Sequence, residues 1–394
     1  MRDKKENNWI TAIQGFLKKY NKYLPFVAVG LALVLVLLIV MLVSFDGRSE
    51  ENPDNSSSSS SINQEDTNDQ NDQQTPDSDQ QDQDVEIEIY RNPFTGAPLE
   101  APYMGRPVAV MLNNIKQAMP QHGVSQADIL FEVLAEGGIT RCMGIFNDIS
   151  QVEKVGSVRS SRKYYVEIAQ GFDAIYVHFG GSMEALNYLK TLQNVDVDGQ
   201  RGGKCFFQDK DRLHSGYSSE HTWFADGAKL LEHVQGLNYP TSYEQVRDYG
   251  MDFDDEKVIQ GESHKKITVY FNKGGNPGKW TKSTSFTYDE ATKQYFAAQH
   301  GGNYIDGNTK KTISFRNVVA LKMPTTGDYY QNINTLGTGT GYYSANGQTV
   351  AIKWSRASVN EPFTYTLEDG TPLTFSVGST YIGVVPTNAT VAFE

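Results

Sequence analysis

The chain has 394 residues, 39% of them hydrophobic, a formal net charge of −12, two cysteines and seven histidines. That length supports one large core or two medium ones. The acidity leaves no basic excess for a nucleic-acid partner, and the scattered histidines fit no zinc signature.

The first 23 residues form a basic head carrying Arg2, Lys4, Lys5, Lys18, Lys19 and Lys22. From Leu24 to Val43 no charged side chain occurs. About 20 apolar residues at 1.5 Å each match a hydrocarbon layer roughly 30 Å thick, so a membrane-spanning helix is predicted over 24–45. The run is too long for a cleaved signal peptide and has no cysteine at its end to carry a lipid. The basic head places the N-terminus in the cytoplasm and everything beyond the span outside the cell.

Residues 46–88 carry fourteen acids against Arg48 alone and almost no apolar side chains. A disordered tether is expected there, with a root-mean-square span of roughly 35 Å for about 40 flexible residues. The tether holds the chain's net charge, so the remainder is nearly balanced.

Beyond residue 88 the composition is globular. Over 89–245 the runs PVAVML, DILFEVLAE, ITRCMGIF and FDAIYVHF alternate with helical stretches, which reads as an α/β domain. Over 263–394 short alternating runs separated by turns predict an all-β domain, with a hairpin turn at Asp369-Gly370. The overall expectation is an α+β protein with two successive domains behind a single anchor.

The segment ADILFEVLAEGGITRCMGIF reads as two strands around Gly137-Gly138. A two-residue turn would set Glu136 opposite Ile139, Leu134 opposite Arg141 and Glu132 opposite Met143. Arg141 would then reach either Glu132 or Glu136 across an otherwise apolar face. A functional site or a solvated ion pair fits that pattern. Four strand residues separate the two glutamates by roughly 13 Å, wide for a glycosidase pair.

In VGSVRSSRKYY, Ser157 is predicted to cap a helix whose stripe is Val158, Ser161, Tyr165, Ile168 and Phe172. Arg159 and Arg162 would fall in its first turns, off the stripe and where cations are disfavoured. Either a carboxylate such as Glu132 or Glu136 or a bound anion offsets them.

His178 closes the run FDAIYVHF before Gly180-Gly181, and Asn113-Asn114 follow PVAVML. Both places are where open α/β sheets keep their binding crevice. Arg212, His214 and His221 share a loop-like stretch. The outside compartment permits a bridge between Cys142 and Cys205, while an apolar strand suits Cys142 as a buried thiol. No cofactor or metal motif occurs.

The blocks RPVAVMLNN, AMPQHGVSQADILFEVLAEGGITR, KVGSVRSSRKYYVEIAQGFDAIYVHFGGS and GSTYIGVVP resemble the YerB-like family of Gram-positive envelope proteins. The resemblance covers nearly all of the chain beyond the tether. It implies secreted or lipid-anchored proteins with an N-terminal α/β portion, a C-terminal β portion and no established activity. This chain departs from it in two ways. The predicted span stands where relatives often carry a lipid-modified cysteine, and Glu220-His221-Thr222 replaces a Pro-His-Asn block.

Together these features predict a membrane-tethered, extracytoplasmic binding or scaffolding protein that recognises an anionic wall component or an envelope protein. The candidate contacts are Asn113, Glu132, Glu136, Arg141, Ser157, Arg159, Arg162, His178 and His221. The alternative is a wall hydrolase using Glu132 or Glu136 with His178 or His221. A third reading makes the β domain a protein-binding module through Trp354 and its tyrosines.

Overall fold

The computed structural model describes residues 89–192, 196–257, 259–273, 278 and 281–394. The predicted head, span and tether lie outside these residues. Among the described residues no helix is long and apolar enough to cross a membrane.

The first segment supplies β1 (Val108–Asn113), β2 (Ile129–Leu134) and β3 (Thr140–Phe146), every residue of which is buried. Burial on both faces explains why these strands read as unbroken apolar runs. They are followed by α1 (Lys163–Gly171), β4 (Ile175–His178), α2 (Met183–Leu189), β5 (Asp196–Asp198) and α3 (Gly227–Gly236). The second segment contributes β6 (Lys266–Tyr270), β7 (Ser283–Asp289), β8 (Gln294–Gln299) and β9 (Asn317–Met323). It ends with β10 (Gly337–Ala345), β11 (Gln348–Arg356), β12 (Thr364–Leu367), β13 (Thr380–Pro386) and β14 (Val391–Phe393).

The expected α/β and all-β compositions are present, and the two segments share one sheet. Eleven strands run Glu262–Ser263, β11, β10, β9, β13, β2, β3, β1, β4, β5, with β12 also pairing β11. The joint is β13, which lies parallel to β9 on one side and to β2 on the other. Thr380 stands opposite Ile129 and Val384 opposite Val133. Residues 263–394 therefore supply the neighbour that β2 needs.

A second sheet of six strands, centred on β6, β7 and β8, joins the apolar cluster on one face of the large sheet. Val269 and Phe286 pack there with Val110 and Leu130. Gly383 on β13 permits this close approach, because a Cβ there would stand 3.1 Å from Val269. The other face is covered by α1, with Tyr165, Ile168 and Phe172 clustering with Met111, Phe131 and Met143. Strand alternation in β2 sends Leu130, Glu132 and Leu134 toward the second sheet and Phe131 and Val133 toward α1.

Three local expectations can be placed directly. The Asp369-Gly370 turn is present, with Leu367 donating its N–H to the Thr371 carbonyl at 2.8 Å and Gly370 at φ +92°. Trp354, expected as contact surface, is instead buried and donates its indole N–H to the Lys322 carbonyl at 3.1 Å. Cys142 and Cys205 are both free and buried.

Candidate functional site

Strands β1, β2, β4, β5, β9 and β13 all point the same way, so their carboxyl ends lie along one edge of the sheet. Loops at such an edge commonly build a binding crevice. Asn113, His178 and the Glu136 loop lie there, and Glu132 sits two residues before the end of β2.

The Glu132 environment corrects the predicted hairpin. Glu136–Gly138 forms a 3-10 turn, and Ala135 donates its N–H to the Ile139 carbonyl. The longer connection shifts the register by one residue, so Glu132 faces Cys142 and Val133 faces Arg141. A one-residue slip moves every side chain to the opposite face. Glu132 and Arg141 therefore lie on different sides of the sheet, and Arg141 reaches Glu136 alone.

Glu132 is 1% exposed and fully partnered. Its Oε1 accepts from Asn114 Nδ2 at 2.9 Å, Thr140 Oγ1 at 2.7 Å and Lys282 Nζ at 2.8 Å. Its Oε2 accepts from Thr284 Oγ1 at 2.7 Å and Tyr381 Oη at 2.8 Å. Burial alone would raise its pKa, yet the Lys282 charge and these hydrogen bonds hold it below the usual carboxylate value. Burial also pushes the Tyr381 phenol well above its ordinary value, which keeps it a donor. Asn114 and Thr140 come from the first segment, and Lys282, Thr284 and Tyr381 from the second. Glu132 is thus the polar joint between them.

Glu136 forms a separate group on the α1 side. Its carboxylate accepts from Arg141 Nη2 and, at 3.2 and 2.8 Å, from Arg162 Nε and Nη2. Burial would raise the pKa of this carboxyl, and the two guanidiniums, Arg141 foremost, hold it down. Arg141 also donates to the Ser160 carbonyl at 3.3 Å and Arg162 to the Ser161 carbonyl at 2.7 Å. Of the two carboxylates expected to offset the arginines, Glu136 pairs with Arg162, and Glu132 with neither.

Ser157 does not cap a helix. Helix α1 begins at Lys163, six residues later, with Arg162 in the capping position. The intervening chain is extended because other strands satisfy it. The Ser157 carbonyl accepts from Asn113 N at 3.0 Å, and Val158 and Arg159 donate to Trp223 and Met111. The predicted stripe is still buried throughout. Arg159 pairs with Glu220 at 3.0 Å, outside any helical turn.

The remaining candidates disperse. Asn113 donates its side-chain amide to His221 Nδ1 at 2.8 Å. Burial lowers the His221 pKa. His178 is fully buried, with Nδ1 donating to the Gly180 carbonyl at 2.8 Å and Nε2 3.3 Å from Asp196. Neither histidine bonds Glu132 or Glu136 directly, and His221 connects to Glu132 only through Asn113, Gln121 and Asn114. Among the described residues no group of three His, Cys, Asp or Glu side chains is placed to hold a metal ion.

Above the Glu132 joint lies a cleft of about 650 Å³, lined among others by Asn114, Lys116, Gly137, Thr140, Lys282 and His300. Lys282 forms its floor with all three donors engaged, on Glu132, on Thr284 at 2.8 Å and on the Ser283 carbonyl at 3.1 Å. His300 donates Nε2–H to the Asn114 carbonyl at 3.2 Å, and burial followed by the Lys282 charge lowers its pKa. Lys116 is exposed on the rim. Among the described residues no carboxylate side chain lines the cleft.

Sequence reasoning missed Lys282, Thr284 and Tyr381. The available signal was Glu132 itself, since an ionised residue inside ILFEVL needs a buried cation and several donors.

The profile described as "Protein of unknown function (DUF3048) N-terminal domain" matches residues 94–240, and the corresponding C-terminal domain matches 267–382. A relative from Bacillus subtilis (strain 168), named "Putative lipoprotein YerB", is 29% identical over 316 residues. That alignment spans 75% of this chain and 88% of the relative. The crystal structure of the Bacillus subtilis YerB protein is similar, with a TM-score of 0.66 and 28% identity. It covers 77% of this chain and 99% of that one.

Proposed function

The chain belongs to the YerB-like family, and from that premise we propose an envelope-anchored, extracytoplasmic protein whose cleft holds an anionic component of the cell wall. Segment 24–45 serves as the anchor and the acidic tether gives the folded part its reach. The lipoprotein name of the Bacillus subtilis relative is consistent with anchoring at the envelope.

The observation that carries the reading is the charge state of the cleft. Beneath it Glu132 and Lys282 neutralise one another, which leaves the rim cation Lys116 facing solvent with no carboxylate among the described lining residues. An anion entering there meets the ammonium of Lys116 and the exposed side-chain amide of Gln117. The same geometry speaks against hydrolysis by these acids. Glu132 has five donors on its two oxygens and Glu136 is held by two guanidiniums, so neither is placed as a general base.

Co-sedimentation of the full-length chain with purified cell walls tests the proposal. Wild type is expected to be retained at low salt and released as salt screens the contact, and Lys116→Glu to lower retention about fivefold. Equal retention of wild type and variant would overturn it.

A further inference from the structure

Beside the cleft, a hairpin formed by Thr325–Thr326 and Asn332–Ile333 carries Tyr329 and Tyr330, which are 60% and 70% exposed. Their rings meet edge to face, with centroids 4.9 Å apart. The tip is held in place. Gly137 donates its N–H to the Tyr329 carbonyl at 2.9 Å, and Gln331 Nε2 donates to the Asp328 and Tyr329 carbonyls at 2.9 and 3.2 Å. Gly327, at φ +84°, lets the turn close, since a Cβ there would stand 2.1 Å from the Tyr330 carbonyl oxygen.

This hairpin touches the cleft through Gly137, which lines it. A Cβ on Gly137 would stand 3.1 Å from the Tyr329 ring. A pair of exposed aromatic rings on a pinned hairpin tip, beside a cleft whose rim carries Lys116 and Gln117, is an arrangement that folding does not require, because exposed apolar area contributes nothing to the core. It suits a ligand with flat apolar faces, many hydroxyls and a negative group. Pyranose rings offer such faces to aromatic side chains. A polyol phosphate chain carries the charge and lacks the faces.

Resting on the cleft reading above, we propose that Tyr329 and Tyr330 form an aromatic corner, one ring stacking on a sugar face and the other closing its edge, as the platform for an acidic pyranose glycan whose negative group enters the cleft at Lys116. The tyrosines select the ring and the lysine selects the charge.

The test is calorimetric titration of the full-length chain in detergent with three probes. These are an N-acetylglucosamine–N-acetylmuramic acid tetrasaccharide, neutral chitotetraose and a glycerol-phosphate oligomer. The acidic tetrasaccharide is expected to bind, with chitotetraose about tenfold weaker. Tyr329→Ala/Tyr330→Ala should weaken the tetrasaccharide by about tenfold or more, as loss of two aromatic anchors does. Lys116→Ala should remove the preference for the acidic probe. Both substitutions are at exposed positions and should leave the melting temperature nearly unchanged, which separates lost binding from lost folding. Absence of saturable tetrasaccharide binding, or binding indifferent to the tyrosines, overturns the platform. Lys116-dependent binding of the glycerol-phosphate oligomer alone would sink the platform and leave the cleft reading standing, whereas binding of no probe that depends on Lys116 would count against both. Tyrosine-dependent binding to phosphatidylglycerol vesicles in place of the tetrasaccharide would assign the rings to a membrane surface and overturn the glycan.

Discussion

Glu132 lies in β2 and Glu136 in the turn that follows it, four residues on, and the fold gives them opposite tasks. Glu132 points into the interface between the two sheets, where one lysine and four neutral donors surround it. Glu136 sits at the rim, its side chain 17% exposed, between two guanidiniums. The first acid joins segments separated by as many as 249 residues, as its bond to Tyr381 shows. The second ties the β2–β3 turn to the start of α1. The difference shows how a strand's two-residue period, offset by one turn residue, assigns neighbouring acids to different structural units.

Removing the interior acid should have the largest effect. Glu132→Ala leaves Lys282 buried and unpaired and four donors unmet, so a loss of about 3–5 kcal/mol is expected in denaturant unfolding. Glu132→Leu/Lys282→Met should recover part of that loss by removing the stranded charge. A loss below about 1 kcal/mol for the single variant would break the comparison, since it would make the joint dispensable. The pH dependence follows from the lowered pKa. The group binds fewer protons in the folded state, so its contribution is complete above the unfolded value of 4.5 and is lost as pH falls through the lower folded value. Glu132→Gln should flatten that part of the acid-unfolding profile.

Glu136→Ala should cost less, about 1.5 kcal/mol, the low end for hydrogen bonds to charged groups. Water reaches this rim, and Arg141 and Arg162 keep their carbonyl partners at Ser160 and Ser161. Hydrogen exchange should quicken in the 135–139 turn while amides of β13 stay protected, a regional contrast that Glu132→Ala should not show. Matching exchange patterns in the two variants would mean that the acids belong to one unit.

Much of this was legible where local patterning decides. The apolar runs located β1, β2, β3 and β4, the Asp-Gly pair located its turn, and the stripe from Val158 to Phe172 marked the buried positions. The start of α1 was not legible. Ser157 is a good cap in isolation, but hydrogen bonds to Asn113 and Trp223, both distant in sequence, hold residues 157–159 extended. The register of β2 and β3 turned on whether Gly137-Gly138 made a two-residue turn or a longer one, and both glycines adopt positive φ either way. Glu132 inside ILFEVL signalled that a buried cation was needed, but not which one, because Lys282 arrives just before β7 and Tyr381 on β13, both far away in sequence. His178 and His221 looked like partners for the acids. Each is instead engaged with its own neighbours, Gly180 and Asp196 for one and Asn113 for the other.

The smallest effect separates attraction from crowding at the rim. Arg159 pairs with Glu220, whose side chain is 52% exposed, and exposed pairs contribute at most about 1 kcal/mol. Burial first, and then the Arg162 charge, lower the Arg141 pKa, and Arg159 adds a smaller like charge to the same effect. Arg159→Ala therefore removes a weak attraction and a weak repulsion together, and a net change within about 0.5 kcal/mol is expected. Glu220→Ala removes the attraction, with a 3.5 Å contact to His221, and leaves Arg159 unpaired near Arg141. It should be the more destabilising of the two at low salt, with the gap closing as salt rises. Equal losses from the two variants in thermal unfolding would show that Arg159 works through Glu220 alone, and that the rim acids and arginines do not act as one electrostatic group.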